Sequence, residues 1–91
     1  MALTKETVVD KIEVLEMGQV QVRTATRVKE DGAVLSSSFH RHVVEPSTKT
    51  GDTWADTDIS GEDARVQAVA TATWTSAVKT AYQEMIDAQS L

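Results

Sequence analysis

The chain has 91 residues, 41% hydrophobic and 4% aromatic, with no Cys; its net charge of −5 comes from residues 45–91, where three Lys or Arg meet eight Asp or Glu. One domain is expected, with a core so rich in Ala and Val that a partner surface should complete it, and the missing thiols exclude a disulfide framework, a thiolate metal site and a Cys nucleophile. The acidic balance disfavours non-specific nucleic-acid binding, which depends on neutralising phosphates, and leaves nucleic acid only a local patch.

Residues 8–46 alternate with a period of two and predict a three-stranded antiparallel meander. Val8, Ile12 and Val14 share its apolar face if Glu16-Met17-Gly18 is a three-residue loop with Gly18 left-handed. Val14 then opposes Val20, and Ile12 opposes Val22. At Glu30-Asp31-Gly32-Ala33, Asp-Gly marks a two-residue hairpin turn. With Glu30 facing Ala33, Val28 opposes Leu35, Thr24 opposes Phe39, Val22 opposes Arg41 and Val20 opposes Val43. The other face pairs Arg27 with Ser36, Ala25 with Ser38, Arg23 with His40 and Gln21 with His42, and is polar throughout. A one-residue slip would exchange the two faces.

Glu45-Pro46 ends the third strand, because Pro cannot donate to a ladder. Residues 47–59 read as a polar connector pinned by Trp54 and Ile59, and a connector of that length is itself a candidate binding loop. Residues 60–89 read as a helical segment, with Ser60 as cap and Asp63 closing a capping box. Its apolar stripe is Val66, Val69, Ala70, Thr73, Trp74, Ala77, Val78, Ala81, Tyr82, Met85 and Ile86. A straight helix of that length spans roughly 40 Å at ~1.5 Å per residue. Strands of about nine residues reach about 30 Å. The helix must therefore overhang its sheet or break near Trp74-Thr75-Ser76, where Thr75 can cap a second helix; a break is favoured.

Four groups could carry chemistry. His40 and His42 fall on one strand face and could chelate one metal, but two ligands make a weak site, and solvent-facing strand residues are the better reading. Asp56 and Asp58, followed by Ser60 and Gly61, match the first half of a Ca²⁺ loop. The twelfth position is Gln67 where a bidentate Glu is needed, so acidic capping near a helix N-terminus is preferred. Arg23, Arg27 and His40 on the polar face could meet phosphate, yet no aromatic lies among them for base stacking. Trp74, Tyr82, Met85 and Ile86 on the helix stripe are the protein-interface candidates, and charge at Tyr82 or Met85 is expected to disrupt assembly more than folding. No Gly-x-Ser-x-Gly elbow, Ser–His–Asp arrangement or phosphate-cradling Gly loop is present, so neither an enzyme nor a cofactor is expected.

No apolar run approaches the ~20 residues of a membrane helix. The opening Met1-Ala2-Leu3-Thr4-Lys5-Glu6 has no signal-peptide apolar region, so a cytoplasmic protein without a membrane partner is expected.

Three segments carry a resemblance: Lys11-Ile12-Glu13-Val14-Leu15-Glu16 leading into QVQVRTAT, then SFHRHVVEP, then SGEDARVQAVA followed by Trp74-Thr75. Over roughly residues 8–80 the pattern resembles small proteins encoded by tailed bacteriophages, marine ones included, often near virion structural genes. In such sequences Trp-Thr is often followed by Pro-Glu; here Ser76-Ala77 follows. The resemblance implies a virion or tail-associated structural component or an assembly accessory, located in the host cytoplasm and then in the virion. It transfers no functional residues.

The expectation is an α+β domain over residues 1–91, a meander whose apolar face (Val14, Val20, Val22, Leu35, Phe39, Val43) is covered by the helical segment. Its function is non-enzymatic assembly as a homo-oligomer with other virion proteins. The alternative is a nucleic-acid-binding module, as a ring-forming oligomer, using Arg23, Arg27 and His40 on the polar sheet face.

Overall fold

The computed structural model of the protein describes residues 2–89; Met1, Ser90 and Leu91, the ends of the expected 1–91 domain, lie outside the described residues. The fold is α+β. Strands β1 (Leu3–Val14), β2 (Val20–Glu30) and β3 (Ala33–Val44) form an antiparallel sheet in the order β1-β2-β3. A second small sheet, β4 (Ser47–Thr50) with β5 (Thr53–Asp56), and helices α1 (Ala64–Thr73) and α2 (Ser76–Gln89) follow.

Both meander turns form as the sequence dictates. Asp31 and Gly32 take positive φ, 50° and 86°, the geometry that matches the twist of a two-residue hairpin. Gly18 lies at φ 88° and closes a loop in which Leu15 N–H donates to Gln19 O at 2.9 Å and Gly18 N–H to Leu15 O at 3.0 Å. Ile12 accordingly faces Val22, and Val14 faces Val20.

Two β-bulges then move side chains between faces. In β1 the register steps from Val9↔Thr24 to Lys11↔Arg23, leaving Asp10 as the extra residue. Val9 thereby joins the core side, and Val8, expected there, sits opposite Ala25 on the other face. In β3 the step lies between Lys29↔Val34 and Val28↔Ser36, with Leu35 as the extra residue. Beyond it every β3 side chain lies on the face opposite to the expected one, because the side-chain period of a strand is two. Val44 opposes Val20, His42 opposes Val22 and His40 opposes Thr24, while Phe39 faces Ala25 and Val43 faces Gln21. The expected apolar face is corrected: Val20 and Val22 are buried; Leu35, Phe39 and Val43 are exposed at and beyond the β3 bulge, and Val14 is exposed although it keeps its expected place opposite Val20.

The core is small. Val20, Val22, Val44, Val66 and Ala70 are buried, with Val9, Ile12, Ile59, Val69 and Trp74 packed around them. Helix α1 lies on β2 and α2 lies on β4. Asp63, not Ser60, caps α1, its carboxylate accepting from Arg65 N–H at 2.8 Å. Ser60 N–H instead donates to Asp58 at 2.9 Å in a turn one step earlier. The helical segment breaks at Trp74-Thr75, and the Thr75 hydroxyl accepts from Val78 N–H at 3.3 Å, capping α2. Residues 47–59 hold the β4–β5 hairpin rather than a featureless connector, clamped to α2 by Lys79–Asp56 at 3.0 Å and Lys49–Asp87 at 2.8 Å.

The molecule measures 57 × 25 × 21 Å, with a radius of gyration of 17.0 Å. A compact 91-residue domain would have about 12 Å. The reason is a reversal of the expected overhang. A twelve-residue strand reaches ~40 Å. The broken helices cover the half of the sheet that runs from the Val20–Val44 row to Val9, so the sheet overhangs its helices. No described helix is long and apolar enough to cross a membrane.

Candidate protein–protein interface

The uncovered sheet has two edges, and they differ chemically. An exposed edge strand offers unpaired N–H and C=O groups to any other strand, and proteins blunt this with Lys, Pro, bulges and charge. Strand β1 has these devices at mid-strand: Lys5, Lys11 and the bulge at Asp10. The Val9 carbonyl beside that bulge accepts from the Arg65 guanidinium of α1. Strand β3 has neither Lys, Pro, Asp nor Glu over its twelve residues. Its bulge lies near the turn, so residues 36–44 pair with β2 in unbroken register. Along it Leu35 is 58% exposed, Phe39 51% and Val43 52%.

The outer sheet face, which carries Phe39 and Val43, is an ion-paired surface. Asp10 accepts from Nε and Nη2 of Arg23, at 2.9 and 2.8 Å, and the Arg23 guanidinium lies 4.6 Å from the Phe39 ring centre. Glu6 meets Lys29 at 2.6 Å and Arg27 at 3.7 Å, and Lys11 meets Glu13 at 2.7 Å. These partners hold the carboxyls below the usual range: the Arg23 hydrogen bond for Asp10, Lys29 for Glu6 and Lys11 for Glu13. Arg41 has no carboxylate within ion-pair distance among the described residues. It lines a cleft of about 280 Å³ with Lys11, Glu13, Gln21, Arg23 and Val43.

The β3 bulge also separates the expected phosphate contacts. Arg23 and Arg27 stay on the outer face, each beside a carboxylate, while His40 lies on the inner face opposite Thr24. His40 and His42 stack with ring centres 6.3 Å apart, and His42 Nε2 lies 2.7 Å from Glu62 Oε1. Among the described residues no group of three or more His, Cys, Asp or Glu is placed to hold a metal ion. Asp56 and Asp58 are engaged separately, by Lys79 and by Ser60 N–H, and hydrogen bonds from Ser60 lower the Asp58 carboxyl.

Of the expected interface residues, two face inward. Trp74 Nε1 donates to Gly18 O at 2.7 Å. Tyr82 is 3% exposed, meets Trp54 edge-on at 6.1 Å and bonds Glu45, so that burial pushes its hydroxyl up to about 12. Charge at Tyr82 would therefore break folding first, contrary to expectation. Met85 and Ile86 are half-buried. Most of the exposed large apolar side chains, Val34, Leu35, Phe39 and Val43, are on β3, and sequence reasoning placed the last three inside. Leu3, Val14 and Leu15 are exposed on β1 and the turn that follows it. The signal on β3 was present: Val34-Leu35 and Val43-Val44 interrupt strict alternation, as Val8-Val9 does before the other bulge.

Comparison of the chain with protein-family models, with curated proteins and with solved structures gives no match.

Proposed function

We propose that this protein is a non-enzymatic assembly component that works through protein–protein contacts. The observation that carries the reading is the bare β3 edge, a strand in unbroken register over residues 36–44, with exposed Leu35, Phe39 and Val43 and no protecting charge beyond Arg41. An edge of that kind binds strands by main-chain hydrogen bonds, with side chains adding specificity. The likeness of three segments to phage-encoded proteins supports a virion or tail setting, reached from the host cytoplasm. Nucleic acid is less well served, since a phosphate at Arg23 or Arg27 would have to displace Asp10 or Glu6.

The test is light scattering at low and high salt, first alone and then with the other proteins of the same particle. Association in either setting, without binding to single-stranded DNA or RNA at low salt, is the expected result. A chain that stays at 9.9 kDa in both settings and binds single strands with a steep salt dependence would overturn the reading.

A further inference from the structure

We infer that the partner of the β3 edge is a second copy of this chain, its own β3 paired antiparallel about a two-fold axis through His40 to make a six-stranded sheet. The inference rests on the assembly reading and names its contact.

Area is the first argument. The chain exposes 6064 Å². A compact monomer of 9.9 kDa exposes roughly 5,200 Å² by the usual size scaling. The excess of roughly 900 Å² is about what one partner contributes to a stable interface, ~800 Å².

Side-chain complementarity is the second. Residues 36–44 form the unbroken stretch of β3, and His40 is its midpoint. A two-fold axis there sets Phe39 against the partner copy's residue 41, Ser38 against residue 42, Ser37 against residue 43 and Ser36 against residue 44. Each Arg41 then lies directly opposite a Phe39 ring that already stacks on Arg23, and only diagonal to the other Arg41. The three small Ser residues meet His42, Val43 and Val44 of the other copy, so large side chains face small ones. The strand contains no carboxylate, so no acid is brought against another acid.

Placement of the helices is the third. They cover the half of each sheet that runs from the Val20–Val44 row to Val9. Antiparallel pairing puts the two helical caps at opposite ends, each beside the other copy's bare end, so neither cap blocks the contact. Parallel pairing would place both caps side by side and leave both bare ends uncovered.

The missing thiols make the test clean. Residues directly opposite in an antiparallel pair have Cα atoms about 4.5–5.5 Å apart, within the ~4.4–6.8 Å span of a disulfide. Under mild oxidation His40→Cys should give a covalent dimer in high yield, and Lys5→Cys on the β1 edge should not. Ser38→Lys, at an exposed hydroxyl with no hydrogen-bond partner among the described residues, should keep the circular dichroism of the parent and halve the mass seen by light scattering. A parent that remains at 9.9 kDa up to about 1 mM, below which specific contacts are normally saturated, overturns the inference. So does a dimer that crosslinks through position 5 and not 40. In either case, association with other particle proteins would leave the assembly reading standing.

Discussion

Gly18 is the position where the fold is most sensitive to one methyl group. It sits at φ 88°, where a side chain costs about 1–2 kcal/mol. A Cβ there would stand 2.5 Å from Val78 Cγ1 and 3.1 Å from Pro46 Cγ. Overpacking of that kind costs typically ~1–3 kcal/mol, because α2 or the loop must move. Gly18→Ala should therefore lose roughly 2–5 kcal/mol, a large share of the ~5–15 kcal/mol that holds a domain of this size. Urea unfolding followed by tryptophan fluorescence measures it, since Trp74 packs at the same point. The companion variant Val78→Ala separates the causes. In its background the clash term should shrink and the backbone term should remain, giving a coupling of about 1 kcal/mol or more in the double-mutant cycle. A loss below about 0.5 kcal/mol, the range of an inert surface change, would refute the close packing of the β1–β2 turn on α2.

Three further expectations rest on single contacts. Trp74→Phe keeps the apolar ring but strands the Gly18 carbonyl, and should cost ~1–3 kcal/mol in the same assay; no loss would mean that water replaces the indole N–H. Asp10 is held below its ordinary value by Arg23, so its contribution is present above pH ~4 and is lost as the pH falls through the lowered value; Asp10→Asn should flatten the acid limb of stability against pH, and an unchanged limb would count against the pair. Tyr82 is the chain's only Tyr, and its hydroxyl is pushed up to about 12 by burial and the Glu45 carboxylate, so ultraviolet titration should show phenolate forming near pH 12 rather than 10. The stability this represents is complete below pH ~10 and lost as the pH rises toward 12; titration at 10 would mean that α2 leaves the β4–β5 hairpin uncovered.

Much of the fold was legible because its signals are local. Asp31-Gly32 and Gly18 fix both meander turns, and the long apolar stripe with Thr75 fixes two helices with a break. The β4–β5 hairpin was missed, residues 47–59 being read as a connector, although Thr50-Gly51-Asp52-Thr53 carries a local signal, Gly-Asp between strand-forming Thr residues. Its polar composition hid it, because the face turned toward α2 is Ser47, Lys49, Trp54 and Asp56, with one large apolar residue among the four. The bulges were harder. A bulge inserts one residue and exchanges both faces beyond it, and only tertiary energies choose the place. At Asp10 the return is a bidentate pair with Arg23 and a free Val9 carbonyl for Arg65. At Leu35 it is Val44 packed in the core and His42 against Glu62. Those partners are 13 to 56 residues apart in sequence, beyond the reach of alternation. The candidate site was misplaced on two counts: the apolar strip of β3 assigned to the core lies on the open face, and Trp74 and Tyr82, assigned to an interface, face inward.

The two features that looked separate in the sequence, a thin core and a surplus of apolar strand, have one consequence if β3 pairs with β3. A core of three Val on the sheet and Val66 and Ala70 on α1 contributes little, since a buried Val supplies about 1.5–3 kcal/mol at most. Edge pairing would then supply part of the folding free energy, and folding becomes linked to concentration. Unfolding a 91-residue chain releases about 0.19 kcal/mol/K at ~2.1 cal/mol/K per residue, hence about 0.38 for a dimer. A tenfold rise in concentration adds about 1.4 kcal/mol to the dimer. The melting temperature should therefore climb by about 3–4 °C per decade in the parent and stay level in Ser38→Lys. A level parent would mean that the small core holds the fold alone and that the β3 edge contributes nothing to it.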